Sequence, residues 1–269
     1  MITFSVMIFN LKFGLIILLI TLTGNSNASS IRQIISKMET DLKVKIIYNQ
    51  KVNDTWTNIF YEHCNDSLET KQYLTSLQKE YAKYPKGYFQ LVGIQRIVLG
   101  KKMRYGDQYR AAVPDPYLHS LFLSIDGAYG ANDETYLIHV MHHELHHCTE
   151  YAMWQDMNYV WDLWTKTNPA SFVYMNGGAD AYENLEIDWY SMTHPKQGFI
   201  NLYSTTAQEE DRSELMALIM TDTEREFIFQ YSPEDEILQK KLLLLLEQLN
   251  AFCKSKDNFW TKNMAEVSK

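Results

Sequence analysis

His139-Val140-Met141-His142-His143-Glu144-Leu145-His146-His147 gathers five of the chain's eight histidines into nine positions. Inside it lies the pattern His-Glu-x-x-His, made by His143, Glu144 and His147. On a helix, positions four apart lie about 40° apart around the axis and about 6 Å along it. His143 and His147 therefore share one face, where both imidazoles can hold one zinc ion at about 2.0–2.1 Å each. Glu144 follows His143 directly and can reach a water on that metal without being a ligand. The plainer alternative is a surface helix that happens to be rich in histidine.

Upstream, Leu121–Ile125 reads as a strand, residues Gly127–Gly130 as a turn, and Asn132 and Asp133 as the cap of the motif helix. That helix should run to about Trp154. An edge strand beside such a helix can bind an extended peptide by backbone pairing, and 121–125 suits either that role or an interior one. Lys101–Pro116 is polar and punctuated by proline, and reads as a long loop. Further back, Lys43–Tyr48 and Gln95–Leu99 read as strands. Residues 31–41 and Asp66–Tyr84 read as helices, the second stopped by Pro85.

Downstream, Trp154, Trp161 and Trp164 read as core. Gly177–Glu186 and Met192–Gly198 read as loops. Asp211–Tyr231 should be one helix, with Leu215, Leu218 and Ile219 on its apolar stripe. Pro233 opens a last helix, Glu234–Lys254, whose five-leucine run is a core face.

Two histidines do not complete a catalytic zinc site. The search for a third ligand reaches the stretch from Tyr203 to Glu214. Glu210 and Glu214 are four apart, so Glu210 could bind the metal while Glu214 accepts from the far nitrogen of a ligand histidine. Glu209 competes for the ligand role, and acidic residues opening a helix also simply answer its dipole. His142 and His146 are four apart too, but His142 is not followed by Glu, so they read as packed, exposed or outer-sphere residues. His139, one turn before His143, flanks the site. His119 and His194 read as loop residues.

His-Glu-x-x-His followed by Tyr203-x6-Glu210-x3-Glu214 resembles the gluzincin metallopeptidases. Within them it is most similar to the lethal-factor-type catalytic domains and the bacterial secreted zinc-binding metallopeptidases. The resemblance implies an α+β, zincin-like fold: a small mixed sheet with an edge strand beside the motif helix, then a mainly helical C-terminal half. The resemblance covers about residues 120–230, the zinc-site core, and one domain is expected over 29–269, with an unassigned part at 29–119 and a C-terminal helix at 231–269. It further implies one Zn2+ per chain on His143, His147 and Glu210, with Glu144 as base and Tyr203 as oxyanion partner. Glu214 would stand behind a ligand histidine, and the substrate would be a peptide or protein. Ser213 departs from the family, which commonly has Ala there. Residues 148–153 hold no histidine, which separates the chain from metzincins. Two alternatives are an exported zinc-binding protein without catalysis and an interaction domain whose histidines only scavenge metal.

A length of 269 residues with 46% hydrophobic residues suits a globular protein with a sizeable core. The net charge of −8 argues against nucleic-acid and anionic-membrane binders, which are usually basic. Of the three cysteines, Cys148 reads as a small buried hydrophobe. Cys64 and Cys253 could pair in an exported chain.

Residues 1–28 read as a signal peptide: Lys12, the apolar run Phe13–Leu22, and small residues at Ser26 and Ala28. The run is shorter than the ~20 residues a spanning helix needs, so a secreted or periplasmic product is expected, without stable membrane insertion. N-terminal sequencing of the exported protein should begin near Ser29. A membrane-bound product still carrying Phe13–Leu22 would overturn this.

Overall fold

The computed structural model describes residues 30–55, 58–128, 133–179, 181, 184 and 186–264. The expected signal peptide, Asn132 and part of the Gly127–Gly130 turn lie outside the described residues.

The chain opens with helix α1 (30–42), then β1 (Lys45–Ile47), β2 (Ile59–His63), α2 (Leu68–Tyr81) and α3 (Tyr88–Val92). β3 (Arg96–Tyr105), β4 (Gln108–Tyr109), β5 (Ala112–Asp115) and β6 (Ser120–Ser124) complete the sheet. Helices α4 (Glu134–Trp154), α5 (Asp162–Thr167), α6 (Gln208–Met220), α7 (Arg225–Tyr231), α8 (Glu236–Phe252) and α9 (Phe259–Asn263) follow. Among the described residues no helix is long and apolar enough to cross a membrane.

The sheet is built on β3. Ile97, Val98 and Leu99 are fully buried, as a strand covered on both faces requires. β1 and β6 flank it in parallel, with Ile46 opposite Ile97 and Ile97 opposite Leu121. β5 closes that side antiparallel to β6, with Val113 opposite Phe122. β2 and β4 pair antiparallel with the far half of β3. Side chains alternate between faces. Ile97, Leu99, Leu121 and Leu123 join the main core with the helices. Val98, Met103 and Phe122 turn the other way and pack with Tyr61.

Several expectations need correcting. Lys101–Pro116 is no loop, since it carries the second half of β3 and all of β4 and β5. Lys102, Arg104 and Tyr105 are exposed, and backbone pairing holds the strand without the apolar alternation that would reveal it. Of the two roles open to residues 121–125, the strand takes the interior one, because β6 lies between β3 and β5. The expected Asp211–Tyr231 helix is two helices. It begins earlier, at Gln208, and breaks at Thr221, which takes an extended backbone (φ −84°, ψ 113°). The last long helix, α8, opens not at Pro233 but on Asp235, whose side chain accepts from the N–H groups of Ile237 and Leu238. Cys64, Cys148 and Cys253 are all free and buried, so the Cys64–Cys253 pair is not formed.

α4 runs through the middle of the helical layer. Asp133 caps its start by accepting from Tyr136 N–H. It is locked to α6 by a buried ion pair, Arg212 with Glu150. Arg212 Nη2 lies 3.0 Å from Glu150 Oε2 and donates to the Tyr159 carbonyl at 3.1 Å. Its guanidinium also lies over Trp154 and Trp164, 5.2 and 5.9 Å from the ring centres. Removing one partner of such a pair strands a buried charge. Arg212→Ala should therefore lower stability by about 3–5 kcal/mol in urea unfolding. A loss below about 1 kcal/mol would remove the pair as the lock between the helices.

Candidate metal centre

α4 and α6 each deliver part of one cluster. His143 Nε2 and His147 Nε2, one turn apart on α4, are 3.0 Å from each other. Glu210, in the first turn of α6, places Oε2 3.0 Å from His143 Nε2 and 3.3 Å from His147 Nε2. These three atoms are close enough to share one metal ion. Bonds of about 2.0–2.1 Å at tetrahedral angles put donors about 3.3–3.4 Å apart, so the triangle needs little expansion. The donor set, two imidazoles and one carboxylate, also suits zinc. Burial works against charge on Glu210, but His147 and His143 hold its carboxyl far below the usual range. Glu209 stands in the cleft wall and does not enter the cluster.

Each of these two histidines has an outer partner. His143 Nδ1 lies 2.8 Å from Glu214 Oε1. This is a close ionic contact with the carboxylate off the N–H direction, not an aligned hydrogen bond. His147 Nδ1 lies 3.4 Å from Ser213 Oγ, which also meets His146 Nδ1 at 3.1 Å. Ser213 thus supplies a contact that alanine could not. Burial pushes His146 well below the usual histidine range and keeps it neutral. His142 faces away from the cluster, against Glu80 Oε2 at 3.1 Å and Tyr84 OH at 3.0 Å.

His139 sits between two carboxylates, with Nε2 3.2 Å from Glu214 Oε1 and Nδ1 2.7 Å from Glu224 Oε2. Burial opposes its charge, but Glu214 and Glu224 push its pKa up to about 10. His139, His143 and Glu214 also come close enough to hold a metal. A doubly protonated His139 already satisfies both carboxylates, so that second grouping needs no ion.

Glu144 and Tyr203 line a cleft of about 220 Å³ together with His147 and Glu210. Burial raises the Glu144 carboxyl, against the opposing charges of His143 and His147. The Tyr203 ring lies 5.9 Å from the His143 ring, on a short 3-10 turn whose first N–H donates to the Trp189 carbonyl at 2.9 Å. A larger cavity of about 610 Å³, between α2 and the start of α4, contains none of these residues.

β5 forms one wall of the cleft through Ala112, Val113 and Pro114. The Ala111 carbonyl accepts from Ser124 N–H, which fixes the parity of the antiparallel pair. Val113 and Asp115 turn their backbone groups toward β6; Ala112 and Pro114 turn theirs outward. The edge strand is therefore β5, and Pro114 leaves that edge one donor short.

Sequence spacing did not point to Ser213, Glu224, Asn201 or Gly178. Gly178 belongs to a segment tied to the Tyr203 turn by Met175 N–H to the Thr205 carbonyl and Gly177 N–H to the Thr206 carbonyl. A Cβ at Gly178 would stand 2.3 Å from the Tyr203 hydroxyl and 2.5 Å from Glu210 Oε1. Only the Gly-Gly pair hinted at a close backbone approach.

Glu210→Ala should retain zinc markedly less well than wild type, and Gly178→Ala should weaken zinc about 10-fold by displacing the Glu210 carboxylate. Competition with a chromogenic chelator measures both. Full affinity in Glu210→Ala would remove Glu210 from the site, and full affinity in Gly178→Ala would show that the loop yields.

No family model matches the chain, and no curated protein matches it in sequence. Among solved structures it is similar to a Bacteroides caccae protein described as a "putative zinc-binding metallo-peptidase". The TM-score is 0.54 at 15% identity, covering 90% of this chain and 94% of that one. At that identity the likeness is one of fold: the two chains share a mixed α/β architecture, here a small mixed sheet followed by a mostly helical C-terminal half.

Proposed function

We propose that the chain is a secreted zinc-dependent peptidase of the gluzincin type, akin to the lethal-factor-type domains, that hydrolyses peptide bonds. One observation carries this reading. Two imidazole nitrogens and a carboxylate oxygen converge within 3.0–3.3 Å, with Glu144 and Tyr203 lining the same cleft.

His143, His147 and Glu210 would hold the metal, which when bound supplies a Lewis acid and a water acidified toward pKa ~7. Glu144 takes the proton as the water attacks the substrate carbonyl and returns it to the leaving amine. Its burial raises the carboxyl above the usual carboxylate range, the direction that strengthens a general base. The Tyr203 hydroxyl donates to the oxygen on which charge develops. Substrate backbone pairs along the outer edge of β5, where Ala112 offers N–H and C=O and Pro114 offers only C=O. Export rests on residues 1–28.

Glu144→Gln should keep its zinc and lose hydrolysis of a labelled peptide by ~10²–10⁴-fold. Tyr203→Phe should lower kcat by ~10²–10³-fold with little change in KM. Zinc-loaded Glu144→Gln turning over at the wild-type rate would sink the peptidase mechanism.

A further inference from the structure

Asn201 lies two residues before Tyr203 and is completely buried. Its side-chain amide faces two ways. Nδ2 donates to Glu214 Oε2 at 2.5 Å, and Oδ1 accepts from Ser204 N–H at 2.9 Å. Its main-chain carbonyl accepts from the Ser204 hydroxyl at 2.8 Å. Tyr203 sits between the two residues joined in this way. On the far side, the other oxygen of Glu214 contacts His143 Nδ1 at 2.8 Å and His139 Nε2 at 3.2 Å. A continuous path therefore runs from Tyr203 through Ser204, Asn201 and Glu214 to His143.

The side-chain chemistry leaves few substitutes. The path needs a donor toward Glu214 and an acceptor toward Ser204 from one short side chain. Aspartate lacks the donor, leucine lacks both, and glutamine reaches one methylene too far. A residue serving only to close the turn would need just the acceptor toward Ser204. The donor aimed at a carboxylate behind a ligand histidine is what a turn alone does not require.

We propose that Asn201 is a positioning residue that joins the turn carrying Tyr203 to the carboxylate behind His143. The oxyanion partner and the metal ligand are then set by one buried joint. For Tyr203 this rests on the peptidase reading above; for Glu214 it rests on the metal site alone.

Two double-mutant cycles test it, one on zinc affinity by chelator competition and one on turnover of fluorescein-labelled casein. Asn201→Ala should weaken zinc about 10-fold in the wild type and by less than about twofold in Glu214→Ala. It should lower kcat about 10-fold with KM nearly unchanged, and again by less than about twofold in Tyr203→Phe. Asn201→Leu keeps the branched shape of the side chain and loses the donor to Glu214. It should reproduce the zinc loss, and it carries the test if the alanine variant folds poorly. Wild-type zinc affinity in a folded Asn201 variant, or losses that multiply in either cycle, would overturn the proposal. Casein left uncut by the wild type would overturn the peptidase reading instead, and the zinc cycle would then decide the link to Glu214.

Discussion

The structure depends on the seam where α4 and α6 bury ionisable side chains against each other. A charge or polar group removed from water must find a partner, or folding loses several kcal/mol at that group. Every turn of the seam obeys this. Glu224 and Glu214 take His139, Glu210 faces His143 and His147, Ser213 meets His146 and His147, and Glu150 takes Arg212. These pairings fix the axial register of the two helices. That register places a carboxylate from one helix opposite two imidazoles from the other.

The same constraint reaches α8. Asp211, the neighbour of Glu210, is completely buried. Its Oδ2 accepts from Lys241 Nζ at 2.7 Å, Tyr174 OH at 2.7 Å and Trp164 Nε1 at 2.9 Å. Lys241 comes from the leucine-rich α8 and is fully buried as well. α8 therefore contributes an ionic anchor beside its apolar face. Trp154, at the end of the motif helix, and Trp164, after it, lie under the Arg212 guanidinium, and Trp164 also donates to Asp211. The core role of Trp164 is thus joined to a polar one, the usual outcome when an indole N–H is buried.

The cleft has a different origin. Its floor is the helix seam, while its wall is β5, which reaches that position only because β6 pairs with it on one side and leaves the other open. Gly178 and the Tyr203 turn close the opposite side. Rigid floor and edge strand are separate devices, so the histidine–carboxylate cluster and the backbone of the cleft wall can vary independently. A proline on the edge fits this arrangement, since it blunts strand-to-strand association without touching the seam.

The sequence by itself determined whatever consecutive side chains encode. The four-residue spacing of His143 and His147, and of Glu210 and Glu214, sets shared helix faces before any tertiary contact forms. The caps at Ser67 and Asp133 and the apolar β6 are likewise local signals. Tertiary structure decided which strand is the edge, because an edge is defined by the missing neighbour and not by the strand's own residues. It decided that Lys101–Pro116 is sheet, since backbone pairing with β2 and β6 leaves no periodic mark on solvated side chains. It also made His139 a cation, through carboxylates 75 and 85 residues away, and it brought Gly178 against Tyr203 and Glu210. Those contacts join segments whose separation along the chain carries no periodic signal, so only the folded packing reveals them.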